Sequence, residues 1–490
     1  MTPKSHERGA GVLLHVTSLP NPAGPGKFDQ AAYEFIDWLA STGFRTWQIL
    51  PLGPTHADGS PYLALSAFAG SPDFIDIASL RADTALNDSW FGDVLKQTVD
   101  DTLPALEKTL KRFVDAPFSS LPDARGFLNH NEYWLQDYAQ FMTIRQAEQQ
   151  KPWWEWPDTL RGRDPNAVRK LISQYRQYQR FIVIQQYLFD RQWQALKQYA
   201  NRRGIQLFGD LPLYVSHDSS DTWANRRFFA LDENGHASTV AGAPPDMFTE
   251  HGQLWGNPVY NWSALEHDGF SWWIDRIKRQ LDLFDLIRID HFRGLEAYWA
   301  IPHDAEFASA GEWVKAPGDE LLQTLRSKLG DLPLVAEDLG YITTEVDELR
   351  EKYHLPSMRV LQFAFDGKDD NPHLPYNYSE NTVAYTGTHD NDSVVSWFES
   401  LHPEAQAFIR HKLGITEKDS ILDAMISTVL HSPAFLAILP MQDVLGLGKG
   451  SRMNMPGTIE NNWVWQFKWD QLTPEITRKF QVLLEESLRT

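Results

Sequence analysis

The chain has 490 residues, 42% of them hydrophobic and 22% charged, a balance typical of a folded globular protein with a large core. Its formal net charge of −20 argues against nucleic acid and anionic membrane surfaces as partners. The sequence contains no cysteine, which excludes disulfides and thiolate metal sites. Its apolar runs are too short for a signal peptide or a membrane helix, so we expect a soluble, cytoplasmic protein.

Aromatic residues are numerous, with 19 Trp, 27 Phe and 16 Tyr. A hydrophobic core accounts for most of them. A groove for a ligand with flat, CH-rich faces, such as a sugar, is a second use for such rings. Composition alone leaves both uses open.

The N-terminal part of the chain has the pattern of a strand, a helix and a second strand. Gly11–Val16 is apolar and precedes a loop rich in Pro and Gly. Apolar residues then recur at helical spacing over Ala31–Thr42 and stop at Gly43, and Thr46–Pro51 is the second strand. Such a βαβ unit implies parallel strands and a right-handed crossover.

This regular alternation breaks after the second strand. Residues 53–203 begin with a turn-rich loop and continue mostly as helix, which predicts an inserted helical subdomain between strands two and three. A second long segment, residues 215–264, is rich in Gly, Pro, Asp and Trp and separates strands three and four. We expect it to be a long loop region.

Further apolar segments continue the alternation of strands and helices. The predicted strands are Ile205–Pro212, residues 285–294, Leu334–Leu339, Arg359–Phe365, Thr382–Gly387 and Phe435–Leu439. Eight strands alternating with helices predict a single catalytic (β/α)₈ TIM barrel over residues 1–490, with inserted, largely helical subdomains. A doubly wound open sheet is the alternative, but no Gly-rich phosphate motif supports it.

Four acidic residues lie at the ends of predicted strands: Asp210, Asp290, Glu337 and Asp390. In a (β/α)₈ barrel the carboxyl ends of the strands meet at one face, so these acids are expected to converge there. A single acid at such a position is more often a helix cap, but four caps have no reason to converge. Without Cys or a closely spaced His pair, the acids favour acid–base and nucleophilic chemistry over a metal site.

Arg288 and Asp290 share one face of their strand because side chains alternate along a strand. A structural ion pair at the strand end is the alternative to a functional one. Cleavage of a glycosidic bond requires two carboxyl groups in different protonation states. Arg288 would keep Asp290 ionised, as a nucleophile requires, whereas the apolar setting of Glu337 favours its protonated form. A retaining mechanism predicts about 5–5.5 Å between the two carboxyls.

A series of motifs, in order over nearly the whole chain, resembles the 4-α-glucanotransferases. This family, also called amylomaltases or disproportionating enzymes, is glycoside hydrolase family 77 of the α-amylase superfamily. The motifs are His15–Pro20, Gln48–Pro54, Ser60–Tyr62, Gly209–Pro212, Ala241–Asp246, Gly252–Pro258, Arg288–Gly294, Ala336–Gly340, Thr388–Asn391 and Arg452–Thr458. Each motif is weak alone, but the ordered set is very specific.

The resemblance implies a role for each acid. Asp290 is implied to be the nucleophile that forms a covalent glycosyl-enzyme, Glu337 the general acid/base, and Asp390 the acid that grips hydroxyls of the distorted sugar. The residues implied to contact substrate are Arg288, His389, Tyr62, Trp255, Asp210 and His291.

The resemblance also implies the reaction and its partners. The donor is an α-1,4-glucan, a segment of which passes to the 4-hydroxyl of a glucose or maltooligosaccharide acceptor by a retaining double displacement. Neither a metal nor an organic cofactor is implied. We expect a monomer or a weak homo-oligomer.

Two segments depart from the family pattern: Gly24–Asp29 in the first loop, and Asn462–Gln466, which ends in Gln where relatives often have Arg. Neither contains the three implied catalytic acids, so acceptor preference or loop shape is the property they affect.

Two other functions stay open from the sequence. One is an α-1,4-glucan hydrolase that uses the same carboxylates, and the other is a non-catalytic glucan-binding barrel.

Overall fold

The computed structural model describes residues 7–245 and 250–490. Asp246, the last residue of one family motif, lies outside the described residues. The strands within the described ranges are, in chain order, β1 Gly9–Leu13, β2 Thr46–Gln48, β3 Gln206–Leu211, β4 Thr239–Ala243, β5 Gln253–Pro258, β6 Leu286–Ile289, β7 Ala297–Pro302, β8 Glu312–Lys315, β9 Leu334–Ala336, β10 Ser357–Val360, β11 Thr382–Tyr385 and β12 Leu436–Pro440.

Eight of these strands form one parallel sheet in the order β10-β11-β12-β1-β2-β3-β6-β9. The backbone N–H of Ala336, in β9, donates to the carbonyl of Pro356, just before β10, at 2.9 Å. This bond brings the two edges of the sheet together. The predicted (β/α)₈ barrel is therefore confirmed.

Side chains alternate between two packed layers on each barrel strand. In β6, Ile287 and Ile289 belong to the large cluster between the sheet and its helices. Leu286 belongs to a second cluster inside the barrel, together with Val335 of β9. Arg288 therefore points into the barrel interior, because it alternates with the two isoleucines.

The first barrel helix, α1 (Gln30–Thr42), forms where the apolar spacing predicts it. The carboxylate of Asp29 accepts the backbone N–H of Ala31 and caps the amino end. Gly43 ends the helix in a left-handed conformation, with φ of 98°.

The helices between β2 and β3 are α2 Ile77–Leu80, α3 Thr84–Asn87, α4 Trp90–Gln97, α5 Leu103–Leu110, α6 Ala124–His130, α7 Glu132–Ala147, α8 Asp158–Arg161, α9 Pro165–Gln174 and α10 Arg176–Arg202. Helix α10 contacts both α1 and β3. The indole N–H of its Trp193 donates to the carbonyl of Leu283 at 2.9 Å. Helix α10 thus shares the core of the barrel and occupies the place of a barrel helix.

A four-stranded antiparallel sheet, in the order β5-β4-β7-β8, lies outside the barrel sheet. Strands β4 and β5 lie within residues 215–264, which were expected to be a loop region, together with helices α11 (Ser220–Ala224) and α12 (Trp262–His267). The sequence pattern does not predict this sheet. Strand β4 contains Gly, β5 contains Gly and Pro, and β7 ends in Pro, and both residue types are depleted in strands.

The remaining helices are α13 Ser271–Leu283, α14 Gly318–Leu329, α15 Thr344–Lys352, α16 Val394–Ser400, α17 Pro403–Leu413, α18 Ile421–His431, α19 Met441–Val444 and α20 Pro474–Glu486. The strand predicted over Arg359–Phe365 begins two residues earlier and ends at Val360, and Leu361–Phe363 is a 3₁₀ turn. Leu361 is buried in that turn, so an apolar run does not mark where the strand stops. No helix in the described part of the chain is both long and apolar enough to cross a membrane.

The amino end of the barrel, opposite the acids, is closed by Arg489, which follows α20 and whose side chain is fully buried. Its guanidinium donates hydrogen bonds to five backbone carbonyls, those of Gly9, Leu430, Ser432, Ala434 and Phe435. It thereby ties the C-terminus to the start of β1 and to the segment before β12. We call this region the base of the barrel, and the opposite face, at the carboxyl ends of the strands, the mouth.

Candidate active site

Three neighbouring barrel strands bring three of the predicted acids to the mouth. Asp210 lies in β3, Asp290 directly follows β6 and Glu337 directly follows β9. The backbone N–H of Asp290 donates to Leu211, and that of Glu337 donates to Ile289, each at 3.0 Å. The hydrogen bonds between the strands therefore determine how these acids are placed relative to one another.

Arg288 connects two of the acids inside the barrel. Its guanidinium donates to both carboxylate oxygens of Asp210, at 2.8 and 2.7 Å, and lies 2.9 Å from Oδ1 of Asp290. The two carboxylates compensate the buried guanidinium, which would be costly to bury alone. The Asp290 side chain is 30% exposed, whereas that of Asp210 is 0% exposed, so of the two only Asp290 presents an accessible carboxylate.

Glu337 lies beside this ion pair in a more enclosed setting. Its two carboxyl oxygens accept the backbone N–H of His291 at 2.6 Å and that of Leu339 at 3.0 Å. His291 adopts a left-handed conformation, with φ of 51°, in the turn that follows Asp290. Burial raises the pKa of Glu337 to about 8, and the charge of Asp290 adds to the rise while Arg288 opposes it. Glu337 is therefore mainly protonated at neutral pH, beside an aspartate that is ion-paired.

Asp390 reaches the mouth from a turn that follows β11. The side chain of Asn391 accepts the backbone N–H of Thr388 at 2.9 Å and stabilises this turn. Oδ2 of Asp390 lies 3.4 Å from Nε2 of His389, and the Asp390 side chain is 42% exposed. Asp390 thus presents to the mouth a carboxylate that, among the described residues, forms no ion pair with an arginine.

Aromatic rings flank the acids on two sides. The Tyr62 ring stacks on His389, with 5.2 Å between ring centroids, and the Tyr62 hydroxyl donates to Asp210 at 2.7 Å. Burial, followed by the charge of Asp210, raises the pKa of Tyr62 well above its usual value, so the hydroxyl stays a donor. On the other side, the Trp255 ring of β5 meets His291 edge-on at 4.8 Å. The antiparallel sheet thus brings Trp255 to the end of β6.

The structure brings together all nine predicted site residues, in two sets of contacts that meet at the adjacent residues Asp290 and His291. These are Asp290, Glu337, Asp390, Arg288, His389, Tyr62, Trp255, Asp210 and His291. Asp210 differs from the others in that Arg288 and Tyr62 occupy its oxygens. Its contact with substrate stays a prediction, and its visible role is to hold Arg288.

Several residues of the site were not predicted. The side chains of Asn454 and Arg452 donate hydrogen bonds to Asp390. The ring of Trp463 lies beside that of Tyr62, with 5.9 Å between the ring centroids. The family motif Arg452–Thr458 contains Arg452 and Asn454, but the resemblance implied no role for either residue. His15 is also buried here, where burial, with His389 as a smaller cause, lowers its pKa to about 3.

Two of the buried histidines keep ring nitrogens without hydrogen-bond partners in the described structure, Nδ1 of His15 and Nε2 of His291. Burial lowers the pKa of His291 to about 4, so both imidazoles are neutral at physiological pH. A neutral imidazole offers one donor and one acceptor nitrogen. Such groups suit a ligand that is rich in hydroxyls.

Comparison with known proteins identifies the family. A family model described as 4-alpha-glucanotransferase matches residues 14–473. The chain is 44% identical to a 4-alpha-glucanotransferase from Thermus thermophilus, with 98% of this chain and 99% of that one covered. It is 42% identical to one from Streptococcus pneumoniae, with 96% and 95% covered.

A solved structure agrees with these relatives. The amylomaltase from Streptococcus agalactiae in complex with acarbose superimposes with a TM-score of 0.89 and 35% identity, covering 99% of this chain and 100% of that one. The hydrolase and the non-catalytic binding barrel, which the sequence left open, are not favoured. The chain belongs to the 4-α-glucanotransferase family, glycoside hydrolase family 77, and is a transferase of that family.

Proposed function

We propose that this transferase moves a segment of an α-1,4-glucan to the 4-hydroxyl of a glucose or maltooligosaccharide acceptor, with Asp290 as nucleophile and Glu337 as acid/base. The observation that carries this assignment is the contrast between two neighbouring carboxyl groups. Asp290 is ion-paired with Arg288 at 2.9 Å and accessible, whereas burial raises the pKa of Glu337 to about 8. A retaining double displacement requires one ionised and one protonated carboxyl of this kind.

In the first step, a carboxylate oxygen of Asp290 attacks the anomeric carbon of the donor. The bond between that carbon and the glycosidic oxygen breaks, and Glu337 gives its proton to the departing oxygen. The products are a glycosyl ester on Asp290 and a shortened glucan with a free 4-hydroxyl. Arg288 is the ion-pair partner of the attacking group before the step.

In the second step, Glu337 acts as a base. Its carboxylate takes the proton of the acceptor 4-hydroxyl, whose oxygen attacks the anomeric carbon and releases Asp290. The backbone N–H groups of His291 and Leu339 stabilise the charge that Glu337 carries between the two steps. Two inversions at the same carbon restore the α configuration.

The other residues act on binding and on the choice of acceptor. We assign to Asp390 the hydroxyls of the distorted sugar, because its carboxylate faces the mouth and forms no ion pair with an arginine in the described part of the chain. The rings of Tyr62 and Trp255 supply flat faces for sugar rings on either side of the acids. Because water and a sugar hydroxyl compete for the same intermediate, exclusion of water by these walls favours transfer over hydrolysis.

The proposal extends to the parts of the chain around the mouth. Residues 53–203 form an inserted subdomain on a single barrel, and residues 215–264 border the glucan cleft. The position of Trp255 beside His291 supports the second assignment. A cytoplasmic location and a role in starch or maltodextrin metabolism are the physiological setting that we infer from the sequence.

Incubation of the purified protein with maltotriose tests the reaction. We expect glucose together with a ladder of maltooligosaccharides longer than the substrate, resolved by chromatography. Short products alone would contradict glucan transfer. An Asp290→Asn preparation, purified in the same way, controls for contaminating enzymes.

A further inference from the structure

We propose that residues 452–463, which we call the clasp loop, position the carboxylate of Asp390, and that Asn454 is the positioning residue. The proposal rests on the proposed function of Asp390 in gripping the distorted sugar. It assigns a task to the motif Arg452–Thr458, to which sequence and mechanism gave none.

The clasp loop contacts both the side chain and the backbone of the turn that carries Asp390. The amide N–H of the Asn454 side chain donates to Oδ1 of Asp390 at 2.6 Å. The Arg452 guanidinium donates to the backbone carbonyl of Asp390, and the backbone N–H of Asn454 donates to that of His389 at 3.1 Å. Three hydrogen bonds therefore join two segments that are more than 60 residues apart in sequence.

Asp390 needs such support more than the other acids do. Asp290 shares Arg288 with Asp210, and Glu337 accepts two backbone N–H groups. Asp390 stands on a turn with a half-exposed side chain, and a side chain in such a place exchanges rotamers readily. A reacting group must be held close to its productive geometry, because small displacements reduce the rate strongly.

The hydrogen bond leaves one carboxylate oxygen for substrate. Asn454 occupies Oδ1, while Oδ2 lies 3.4 Å from His389 at the open side of the turn. A neutral amide fixes the carboxylate without cancelling its charge. The aspartate thus keeps the negative charge that a positively charged, oxocarbenium-like transition state requires.

The clasp loop is itself held firmly, so Asn454 is in place without substrate. Asn462 accepts the backbone N–H of Met455 at 2.9 Å and donates to the carbonyl of Thr458 at 2.8 Å. The backbone N–H of Trp463 donates to the carbonyl of Met453 at 2.8 Å, and Met453 is buried in the cluster inside the barrel. The loop is therefore anchored to the barrel at the point where Asn454 leaves it.

The first test compares Asn454→Ala and Asn454→Asp with wild type. We expect Asn454→Ala to lower kcat about 10- to 100-fold while KM stays within about threefold, because the interaction serves the transition state. Asn454→Asp keeps the shape but places two carboxylates together, so the acidic limb of its pH–rate profile moves to higher pH. Asn381→Ala, which removes an amide donor to the carbonyl of His354 outside the clasp loop, is the matched control and should stay within about twofold of wild type.

The second test is a double-mutant cycle with Asp390→Asn. If Asn454 acts through Asp390, then Asn454→Ala costs less than about threefold in the Asp390→Asn background. Maltotriose affinity, measured by calorimetry in a Glu337→Gln background, should stay within about threefold when Asn454→Ala is added. The positioning role would be overturned if Asn454→Ala lowered kcat equally in the wild-type and Asp390→Asn backgrounds. A loss confined to KM or to maltotriose affinity would overturn it as well. An Asp390→Asn variant with wild-type kcat would instead refute the function proposed for Asp390 itself.

Discussion

The mouth and the base of the barrel each contain a buried arginine, and the two are used in opposite ways. At the mouth, Arg288 pairs with the carboxylates of Asp210 and Asp290. At the base, Arg489 donates to five backbone carbonyls, and burial, with Arg8 as a smaller cause, lowers its pKa. The first arrangement balances buried charges against one another, and the second supplies hydrogen bonds to buried main-chain carbonyls, three of which also accept from Arg8.

The same contrast appears in the polar atoms that lack partners. Nδ1 of His15 and Nε2 of His291 are buried at the mouth without a hydrogen bond in the described structure. All three guanidinium nitrogens of Arg489 have carbonyl partners at the base. A buried unpaired polar atom costs about 1–3 kcal/mol, so the mouth is less stable than its packing alone would allow. We therefore expect variants at the mouth to change rate, and variants at the base to change stability.

The largest effect on rate is expected from Asp290→Asn. Loss of the nucleophile should lower kcat by about 10⁴-fold or more, as removal of a nucleophile does in other covalent mechanisms. Arg288 keeps Asp210 as a partner, so folding and glucan binding should change little. Turnover of maltotriose and calorimetric binding measure the two properties. A wild-type rate would refute the nucleophile assignment, and a loss of folding would break the separation between mouth and base.

Glu337→Gln is expected to have the next largest effect. Loss of the acid/base should lower kcat by about 10²- to 10⁴-fold, and less for a donor whose leaving group needs no proton. In wild type, the acid form falls away above the Glu337 pKa of about 8, so the transfer rate should fall as pH rises through that value. A pH–rate profile of wild type checks this basic limb. An equal loss with natural and activated donors would contradict the role as proton donor.

The same substitution should alter stability in a pH-dependent way. The pKa of Glu337 is raised from an ordinary value near 4.5 to about 8, so between these pH values the folded state keeps a proton that the unfolded state has lost. The free energy of unfolding of wild type therefore decreases through this window as pH rises. Gln does not ionise, so this decrease is absent in Glu337→Gln. The free energy of unfolding of Glu337→Gln minus that of wild type should be larger at pH 8 than at pH 5. Urea denaturation at both pH values measures this difference. If the difference does not change with pH, the prediction is wrong.

The acids at the strand ends were predictable because each follows an apolar strand. Asp210, Asp290 and Glu337 require only strand alternation and the rule that carboxyl ends of barrel strands meet. The ordered family motifs then supplied roles that spacing alone could not. The eight barrel strands were found in the same way, although the limits of several differ by a few residues, as at Val360.

Long-range contacts could not be predicted in this way. Trp255 reaches His291 through an antiparallel sheet whose strands β4, β5 and β7 contain Gly or Pro and give no clear local signal. Asn454 meets Asp390 through a loop 64 positions later, and no periodicity links the two. The extent to which burial raises the pKa of Glu337 likewise depends on how chain segments enclose it, so the sequence indicated only the direction.

At the base, Arg489→Met should reduce stability and leave the rate unchanged. The variant keeps an apolar stem but removes five hydrogen bonds to buried carbonyls, three of which keep Arg8 as a donor. This loss should lower the free energy of unfolding by about 3 kcal/mol. Urea denaturation and maltotriose turnover measure the two quantities on one preparation. Arg478→Met, at an exposed position on α20, is the matched control and should change stability by less than about 0.5 kcal/mol. A lower kcat in folded Arg489→Met would show that the base also affects the chemistry.

The smallest effect, and the finest test of the contrast, is expected from Tyr62→Phe. The ring keeps its stack on His389, but Asp210 loses the hydroxyl that donates to it at 2.7 Å. Because Asp210 holds Arg288, the loss should reach Asp290 indirectly and lower kcat/KM about 5- to 10-fold, the size of one hydrogen bond to a charged group.

Tyr199→Phe is the matched control for this variant, because the Tyr199 hydroxyl also donates to an aspartate, Asp37, but at the exposed outer surface. It should change neither rate nor stability by more than about twofold or 0.5 kcal/mol. If Tyr62→Phe has wild-type kcat/KM, the two bonds from Arg288 are enough to hold Asp210 in place. A loss of kcat/KM seen only in Tyr62→Phe would show that a tyrosine–aspartate hydrogen bond affects the rate when the aspartate holds Arg288. The same kind of bond at the outer surface would then have little effect on the rate.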